Sequence, residues 1–224
     1  MIEFMLNIRL NNHKEFMHAH KDEYQRKMRA PYYALIEVLS PLMLQIDPQM
    51  EVRPAKCLSR IYRDTRFSRD KSPYRDHHWI AFRHAGEPRE SAVMFWFELR
   101  IESMSWGLGF WGENRSAMDI LRRRMVSHPH DLLELLPILG KHLVISGNSY
   151  KRLVPPEGIH PLLRLLYPMK DFYISRTGID YNWAFSPTLY QKLVADYQTM
   201  APFYRLLRGY YQISMLGGDS FEPL

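Results

Sequence analysis

The stretch VMFWFELRIESMSWGLGFW, from Val93 to Trp111, decides the fold. Aromatic and β-branched residues concentrate around 93–101 and again around 106–111 with a period close to two, and this pattern favours strands. The polar residues within 100–105 predict a hairpin turn between them. The sequence therefore predicts two antiparallel strands joined by a turn.

Two further strands are predicted outside this hairpin. The stretch 79–82 has the same enrichment and precedes a connection at Gly86-Glu87-Pro88, and residues 172–176 form the last strand candidate. Cys57 also falls in a predicted strand, where we expect it to be an inert, packed thiol.

Helices are predicted before the strands. Apolar and aromatic residues recur every four positions from Phe16 to Met28, which marks one face of a helix within 13–29. Pro31 suits the first turn of a second helix that ends at Asp47-Pro48, or else both segments form one kinked helix. The apolar face of the second segment is predicted to carry Tyr32, Leu35, Ile36, Leu39 and Met43.

Helices are also predicted after the strands. Asn114 or Ser116 can cap one that stops before His128, a short helix covers 132–139, and a last one opens at Ser186-Pro187 and is interrupted at Pro202. The predicted class is α+β, with a mainly antiparallel sheet flanked by helices at both chain ends. We expect a single domain over 1–224 that ends in a flexible tail at 217–224.

Composition indicates a soluble globular protein. Hydrophobic residues make up 46% and charged residues 24% of the 224 residues, proportions that are ordinary for such proteins. Cys57 is the single cysteine, so we expect no disulfide within the chain, and the N-terminus lacks the pattern of a secretory signal. No window approaches the roughly 20 apolar residues of a membrane span. We therefore expect a cytoplasmic protein with no membrane partner.

The most unusual stretch is RIYRDTRFSRDKSPY, residues 60–74, with five cations and two acids. Residues 60–75 carry six cations and two acids, an excess of four within a chain whose net charge is +6. Ionised side chains beside an apolar run such as 58–62 cost free energy unless they pair with one another or with a ligand. The stretch therefore marks the expected site without naming a reaction.

Extended backbone over 58–67 would place alternate side chains on opposite faces. Arg63 would then lie among residues that we expect to be buried, and it would require a carboxylate from the protein or from a ligand. The protein's own candidates are Asp70, Asp76 and Glu98. One face would carry Arg60, Tyr62, Asp64 and Arg66, and the other Ile61, Arg63, Thr65 and Phe67.

Two interpretations of residues 60–74 stay open. In the first they form an anion-binding pocket, with Asp64 as an acid or base and Tyr74 as a hydrogen-bond donor. In the second they form a structural charge network that fixes the DKSPY loop, with Asp70 in an Asx turn and Pro73 setting the backbone. Composition does not separate the two. The candidate binding residues are Arg60, Arg63, Asp64, Arg66, Asp70, Lys71 and Tyr74, with Arg75 as a further cation.

Other chemistries have weaker signals. The glycine-rich stretch 106–112 lacks the spacing of a dinucleotide or phosphate loop and is more typical of a sheet bend packed by aromatics. The ten histidines lack metal-ligand spacing, so no metal site is predicted, and no cofactor is indicated. The serines lack a nucleophile elbow. The run Arg122-Arg123-Arg124 is predicted to be a solvated helix face.

The run RIYRDTRFSRDKSPYRDH resembles the signature of a bacterial family of uncharacterised proteins, domain of unknown function 2461. Three other stretches are similar to that family: LNNHKEFMHAHKDEYQ, SWGLGFW, and YKRLVPPEG with HPLLRLL. The resemblance covers about 6–175, and Phe16-Met17 stand where the family usually has a Trp-Phe pair. It implies a single soluble domain but no activity and no catalytic residues. The signature falls on Arg60, Arg63, Asp64, Arg66, Phe67, Asp70, Lys71 and Tyr74.

Three functions are consistent with the sequence. The first is binding of a small anionic or phosphorylated ligand in a basic, aromatic-walled pocket, with or without catalysis. The second is a nucleic-acid-binding module that uses the same cations and exposed aromatics such as Trp79 or Trp111 for stacking. The third is a non-enzymatic protein in which residues 60–74 are purely structural. The oligomeric state is not indicated.

Overall fold

The structure is a computed structural model that describes residues 1–110 and 112–216. Five strands form one antiparallel sheet in the order β1-β2-β3-β5-β4, so the predicted α+β class is confirmed. The strands are β1 (His78–Arg83), β2 (Val93–Leu99), β3 (Met104–Phe110), β4 (Leu143–Ser146) and β5 (Tyr173–Arg176).

Helices precede and follow the strands. A π-helical segment, Gln25–Arg29, separates α3 from α4, and two 3₁₀ helices cover Leu136–Leu139 and Tyr181–Phe185. The α-helices are α1 (Ile2–Leu10), α2 (Lys14–Ala19), α3 (Lys21–Tyr24), α4 (Ala30–Ile46), α5 (Pro54–Cys57), α6 (Arg115–Ser127), α7 (His130–Leu133), α8 (Pro161–Arg164) and α9 (Pro187–Met215).

The predicted hairpin forms as β2 and β3, and the turn between them is closed by a hydrogen bond from Arg100 N to Ser103 O of 2.8 Å. The glycine-rich stretch belongs to β3 and has a packing role at Gly109. A Cβ at Gly109 would lie 2.4 Å from the carbonyl oxygen of Phe172, because β5 approaches closely at that point. The glycine therefore serves close strand packing.

The chain divides into two compact units. Unit 1 comprises residues 1–82, 96–106 and 179–194, and unit 2 comprises the described parts of 83–95, 107–178 and 195–224. The single domain over 1–224 stays a prediction, and the tail at 217–224 lies outside the described residues.

Each unit has its own buried residues. In unit 1, the predicted apolar face of α4 is buried at Tyr32, Ile36, Leu39 and Met43, and α1 buries Phe4, Met5 and Ile8. In unit 2, the Phe95 ring lies 5.1 Å from Tyr197 and 5.3 Å from Tyr204 between centroids. Arg176 and Asp196 form an ion pair of 2.7 Å within the same unit.

Several predicted elements need correction. Residues 14–46 form consecutive helical segments, interrupted only at His20, and so correspond to the kinked-helix alternative. Cys57 ends the short helix α5, which Pro54 begins, because proline pre-sets the first helical turn. Pro202 lies inside α9 without ending it. Its neighbours Ala201 and Phe203 are buried, and such packing offsets the hydrogen bond that proline cannot donate.

Asn12 joins the N-terminal helices to the 60–75 segment. Its side-chain Nδ2 donates to Tyr74 O at 2.9 Å, and its Oδ1 accepts from Tyr74 N at 3.0 Å. The amide thereby replaces both backbone partners that a neighbouring strand would provide. This pairing gives a physical reason for the asparagine in the LNNHKEFMHAHKDEYQ stretch.

We predict that Asn12→Ala lowers the free energy of unfolding by about 1–3 kcal/mol, because two partly buried backbone groups lose their partner. Asn11→Ala is the matched control, since Asn11 makes an exposed bond to Asn7 O at 3.2 Å. Urea unfolding followed by circular dichroism measures both. Equal stability of the two variants would contradict the role given to Asn12.

Candidate functional site

The backbone of the 60–75 segment is extended but forms no regular strand. Arg63 N donates to Pro73 O at 2.9 Å, and Arg75 N donates to Ile61 O at 2.7 Å, around a single bridge between Tyr62 and Tyr74. A second bridge joins Leu58 to Ile80 of β1. The segment is thus a loop that folds back on itself and is attached to the edge of β1.

The predicted alternation of side chains holds over most of the segment. Ile61 is buried and the Arg63 side chain is 28% exposed, whereas Tyr62 is 63% exposed. Phe67, which was expected on the inner face, is instead 96% exposed. The chain turns before it, with Ser68 N donating to Thr65 O, and the alternation therefore ends there.

Four of the eight charged side chains in residues 60–75 pair with one another. Arg63 forms its ion pair with Asp70, the first of the three predicted partners. Asp70 also accepts from Ser72 N at 2.9 Å, which is the predicted Asx turn. Arg66 pairs with Asp64 at 2.7 Å, and Lys71 donates to the carbonyl oxygen of Thr65 at 2.9 Å.

These pairs limit the chemistry of both acids. The hydrogen bond from Arg66 lowers the pKa of Asp64 to about 2, and the hydrogen bond from Arg63 holds the pKa of Asp70 well below its usual range. Each is therefore an ionised carboxylate at neutral pH and not a general acid. This part of the segment matches the structural-network interpretation.

Arg75 and Trp79 also have structural positions. The Arg75 guanidinium donates to the carbonyl oxygens of Arg60 and Tyr62 at 3.3 and 3.1 Å and lies 4.8 Å from the centroid of the Trp79 ring. Trp79 is only 8% exposed, so the expectation of an exposed stacking surface there is wrong. Trp111 lies outside the described residues.

A cleft of about 1020 Å³ lies within unit 1, and Tyr74 is one of its lining residues. Its walls are the helical stretch 14–33 and the segment 55–62. Its described lining residues include no Asp or Glu. They do include four cations and four tyrosine rings, namely Lys14, Lys21, Arg29 and Arg60, with Tyr24, Tyr33, Tyr62 and Tyr74.

By contrast, a smaller cavity of about 310 Å³ beside the ion pairs mixes both signs of charge. Arg63 and Asp70 border it together with Arg9 and Asp76, and Arg9 itself pairs with Asp76 at 2.6 Å. Cations that already have carboxylate partners offer little to a further anion. The cleft is the better candidate site.

A chain of three polar side chains lies at the inner wall of the cleft. His78, at the start of β1, is fully buried, and its Nδ1 lies 2.9 Å from Ser59 Oγ. Its Nε2 lies 2.9 Å from the hydroxyl of Tyr24. Both Ser59 and Tyr24 line the cleft. The imidazole thus connects two hydroxyl groups of the same cleft.

Burial sets the charge state of this chain. Burial first, and the neighbouring His77 second, lower the pKa of His78 to about 4, so the imidazole is neutral at pH 7. Burial also raises the pKa of Tyr24 to about 12, so its phenol stays protonated. The Ser59–His78–Tyr24 chain is therefore uncharged under ordinary conditions.

The π-helical segment begins directly after Tyr24. Ala30 N donates to Gln25 O, five residues back, and this widened turn presents Gln25 and Arg29 to the cleft. Arg29 Nε and Nη1 donate to Tyr33 Oη at 3.0 Å and to Gln25 Oε1 at 3.3 Å, which fixes the guanidinium in place. Single π-turns occur frequently at functional sites.

The structure separates the seven predicted site residues. Arg60 and Tyr74 line the cleft, whereas Arg63, Asp64, Arg66, Asp70 and Lys71 do not. Sequence reasoning missed Tyr24, Ser59 and His78 as site residues. One signal was present for His78, because strand alternation places it on the inner face with Ile80 and Phe82.

The expectation of a solvated face at Arg122-Arg123-Arg124 is wrong for Arg122, whereas Arg123 is exposed. Arg122 is 8% exposed and donates to the carbonyl oxygens of Tyr167 at 3.0 Å and Met169 at 2.7 Å. A cavity of about 830 Å³ in unit 2 lies beside this run. Since Arg122 also pairs with Asp119 at its edge, the guanidinium is already satisfied.

The described residues contain no group of three or more His, Cys, Asp or Glu side chains placed to hold a metal ion. No helix among residues 1–110 and 112–216 is long and apolar enough to cross a membrane.

Comparison with known proteins defines the family. A family model described as "Conserved hypothetical protein (DUF2461)" matches residues 1–206, so the chain belongs to that family. The match extends beyond the 6–175 region of the resemblance and includes both walls of the cleft. No curated protein and no solved structure matches the chain.

The buried imidazole predicts a pH dependence of stability. Because the pKa of His78 is about 4 in the folded protein against an ordinary 6.5, the unfolded chain binds the proton more readily. The contribution is constant above pH 6.5 and is lost as the pH falls toward 4. We expect the loss of this contribution to lower the free energy of unfolding by about 3 kcal/mol between pH 7 and pH 4.

Urea unfolding at a series of pH values tests this on three proteins. In wild type and His77→Gln, the free energy of unfolding should fall between pH 7 and pH 4. In His78→Gln, the part of this fall that comes from the imidazole should be absent. His77→Gln is the control because it removes only the second cause of the low His78 pKa and leaves burial, the first cause, in place. Parallel pH profiles for wild type and His78→Gln would contradict the assignment.

Proposed function

We propose that this protein binds a small anionic or phosphorylated ligand in the cleft between residues 14–33 and 55–62. The observation that carries the proposal is the lining itself, which brings four cations together without a described carboxylate. Cations clustered in a concave site raise the local concentration of anions and can form charge-assisted hydrogen bonds with phosphate oxygens.

Three of the cations are well suited to a ligand. Lys14, Lys21 and Arg60 form no ion pair with a carboxylate in the described part of the chain, and Arg60 is exposed at the mouth of the cleft. Arg29 is held by Tyr33 and Gln25, whose oxygens are uncharged, so its positive charge is not neutralised. A phosphate group would supply the missing negative charge.

The aromatic walls favour an organic ligand over a bare inorganic ion. Tyr62 and Tyr74 lie 5.3 Å apart between ring centroids, and Tyr62 remains 63% exposed beside Arg60. Such rings can pack against the carbon skeleton of a ligand while the cations hold its anionic group.

The proposal concerns binding, and acyl transfer through Ser59 is disfavoured. A serine nucleophile needs a base that accepts its proton, and that base is usually supported by a carboxylate. His78 has the Tyr24 phenol at its far nitrogen, and burial lowers its pKa to about 4. An imidazolium in this position would be unstable.

Nucleic acid is the competing ligand class. One observation favours it: Phe67 is 96% exposed, and the Arg66 guanidinium lies 5.8 Å from the centroid of its ring. Beside the Arg66–Asp64 pair, the Phe67 ring provides one stacking position, which is little for a strand. Small anions remain the primary proposal, together with the cytoplasmic location and bacterial source that the sequence leads us to expect.

We predict that Arg60→Ala and Lys21→Ala each weaken the binding of pyrophosphate by about 10- to 100-fold, because each removes a charged hydrogen-bond donor. Arg66→Ala and Lys71→Ala are matched controls of the same residue types outside the cleft, and they should bind as wild type does. Isothermal titration calorimetry at low salt measures all five proteins.

Two outcomes would overturn the proposal. Wild type that binds neither pyrophosphate nor inorganic phosphate would reject phosphate binding in the cleft. Loss of binding in Arg66→Ala or Lys71→Ala, with Arg60→Ala unaffected, would place the site at residues 64–71. A short single-stranded oligonucleotide titrated in parallel tests the competing class, for which affinity should fall steeply with salt.

A further inference from the structure

The Ser59–His78–Tyr24 chain has an arrangement that anion binding alone does not require. A buried histidine can be satisfied by any two partners, but here both partners are hydroxyl groups that line the cleft. Each of the two residues therefore contacts the imidazole and also borders the cleft. The inference from this arrangement rests on the proposed binding function.

The proton count of a neutral imidazole constrains the two hydroxyls. Neutral imidazole carries one N–H, so one ring nitrogen donates while the other accepts. If Nε2 donates to Tyr24, then Ser59 donates to Nδ1, and the Tyr24 proton is free to point into the cleft. If Nδ1 donates to Ser59, then Tyr24 donates to Nε2, and the Ser59 proton is the free one.

In either proton arrangement, one of the two hydroxyls has a free proton to donate, and the other can only accept a hydrogen bond. Ser59 Oγ already accepts from the backbone N–H of Trp79 at 3.1 Å, which fixes its position. Tyr32 donates to the carbonyl oxygen of His78 at 3.0 Å, which fixes the backbone of the imidazole. Only the protons are left to rearrange between the two states.

We propose that Ser59 and Tyr24 form a subsite for uncharged hydroxyl groups of the ligand, which is therefore a phosphate ester with more than one hydroxyl group. A hydroxyl is both donor and acceptor, so one ligand hydroxyl complements Ser59, and a second complements Tyr24, in either proton state. A phosphate oxygen only accepts, and it can satisfy only one of the two groups at a time. The phosphate is held by Lys21 and Arg60, and His78 is a positioning residue.

The test compares two probes of similar size and equal charge, glycerol 3-phosphate and propyl phosphate, by isothermal titration calorimetry. Wild type should bind glycerol 3-phosphate about five- to tenfold more tightly, the contribution of one or two hydrogen bonds. Tyr24→Phe and Ser59→Ala should lose this preference and keep the affinity for propyl phosphate. Arg60→Ala should weaken both esters and keep the preference.

A spectroscopic measurement on the wild-type protein tests the role of His78 without a substitution at Ser59, His78 or Tyr24. In protein labelled with ¹⁵N at histidine, the Nδ1 and Nε2 shifts report which nitrogen carries the proton. Glycerol 3-phosphate should change the ratio of the two tautomers, whereas propyl phosphate should change it less. Identical responses to both esters would mean that the imidazole does not adapt to a ligand hydroxyl.

The failures can be distinguished. If wild type binds both esters equally, the hydroxyl subsite is rejected while anion binding in the cleft stands. If neither ester binds, the proposed function itself is rejected. Circular dichroism and thermal melting confirm folding of Tyr24→Phe and Ser59→Ala, and the histidine spectra of wild type decide the case should either variant unfold.

Discussion

The constraint on which unit 1 depends most is the burial of the His78 imidazole. An unpaired polar ring in a fully buried position costs several kcal/mol on transfer scales, so both nitrogens must find partners. Tyr24 at the end of α3 and Ser59 beside the 60–75 segment are these partners, each at 2.9 Å. The helical stretch, the 58–62 segment and β1 are thereby joined at one side chain. Because the two partners also line the cleft, the interaction that holds these elements together also shapes the candidate site.

The charged segment serves this arrangement indirectly. Its two ion pairs, Arg63 with Asp70 and Arg66 with Asp64, hold four of its eight charged side chains within the loop. Asn12 and the Leu58–Ile80 bridge attach the loop to the rest of unit 1. Arg60 is the cation of the 60–75 segment that lines the cleft. The structural-network interpretation matches the ion-paired residues, and the binding that we propose concerns Arg60 and Tyr74 of the same segment.

Local patterns in the sequence account for the elements that were predicted correctly. Strands β1, β2, β3 and β5 and helix α6 follow from alternation, aromatic enrichment and the Asn114 cap, which accepts from Ala117 N at 3.1 Å. The Arg63–Asp70 pair was predictable because its members are seven residues apart in a loop that turns back. The cleft was not, because Tyr24 and His78 are 54 positions apart and periodicity does not report such pairings. The prediction that Arg122 is solvated was wrong for the same reason. The carbonyl groups that bind its guanidinium belong to Tyr167 and Met169, which are distant in the sequence.

The central claim is that an anion binds in the cleft and not at the ion-paired loop or beside Arg122. Mapping of backbone amide shifts in ¹⁵N-labelled protein during a pyrophosphate titration tests this location most directly. The account predicts saturable shifts concentrated in residues 14–33 and 58–62. Shifts concentrated in residues 64–71 or 119–128, or no saturable shifts at all, would contradict it.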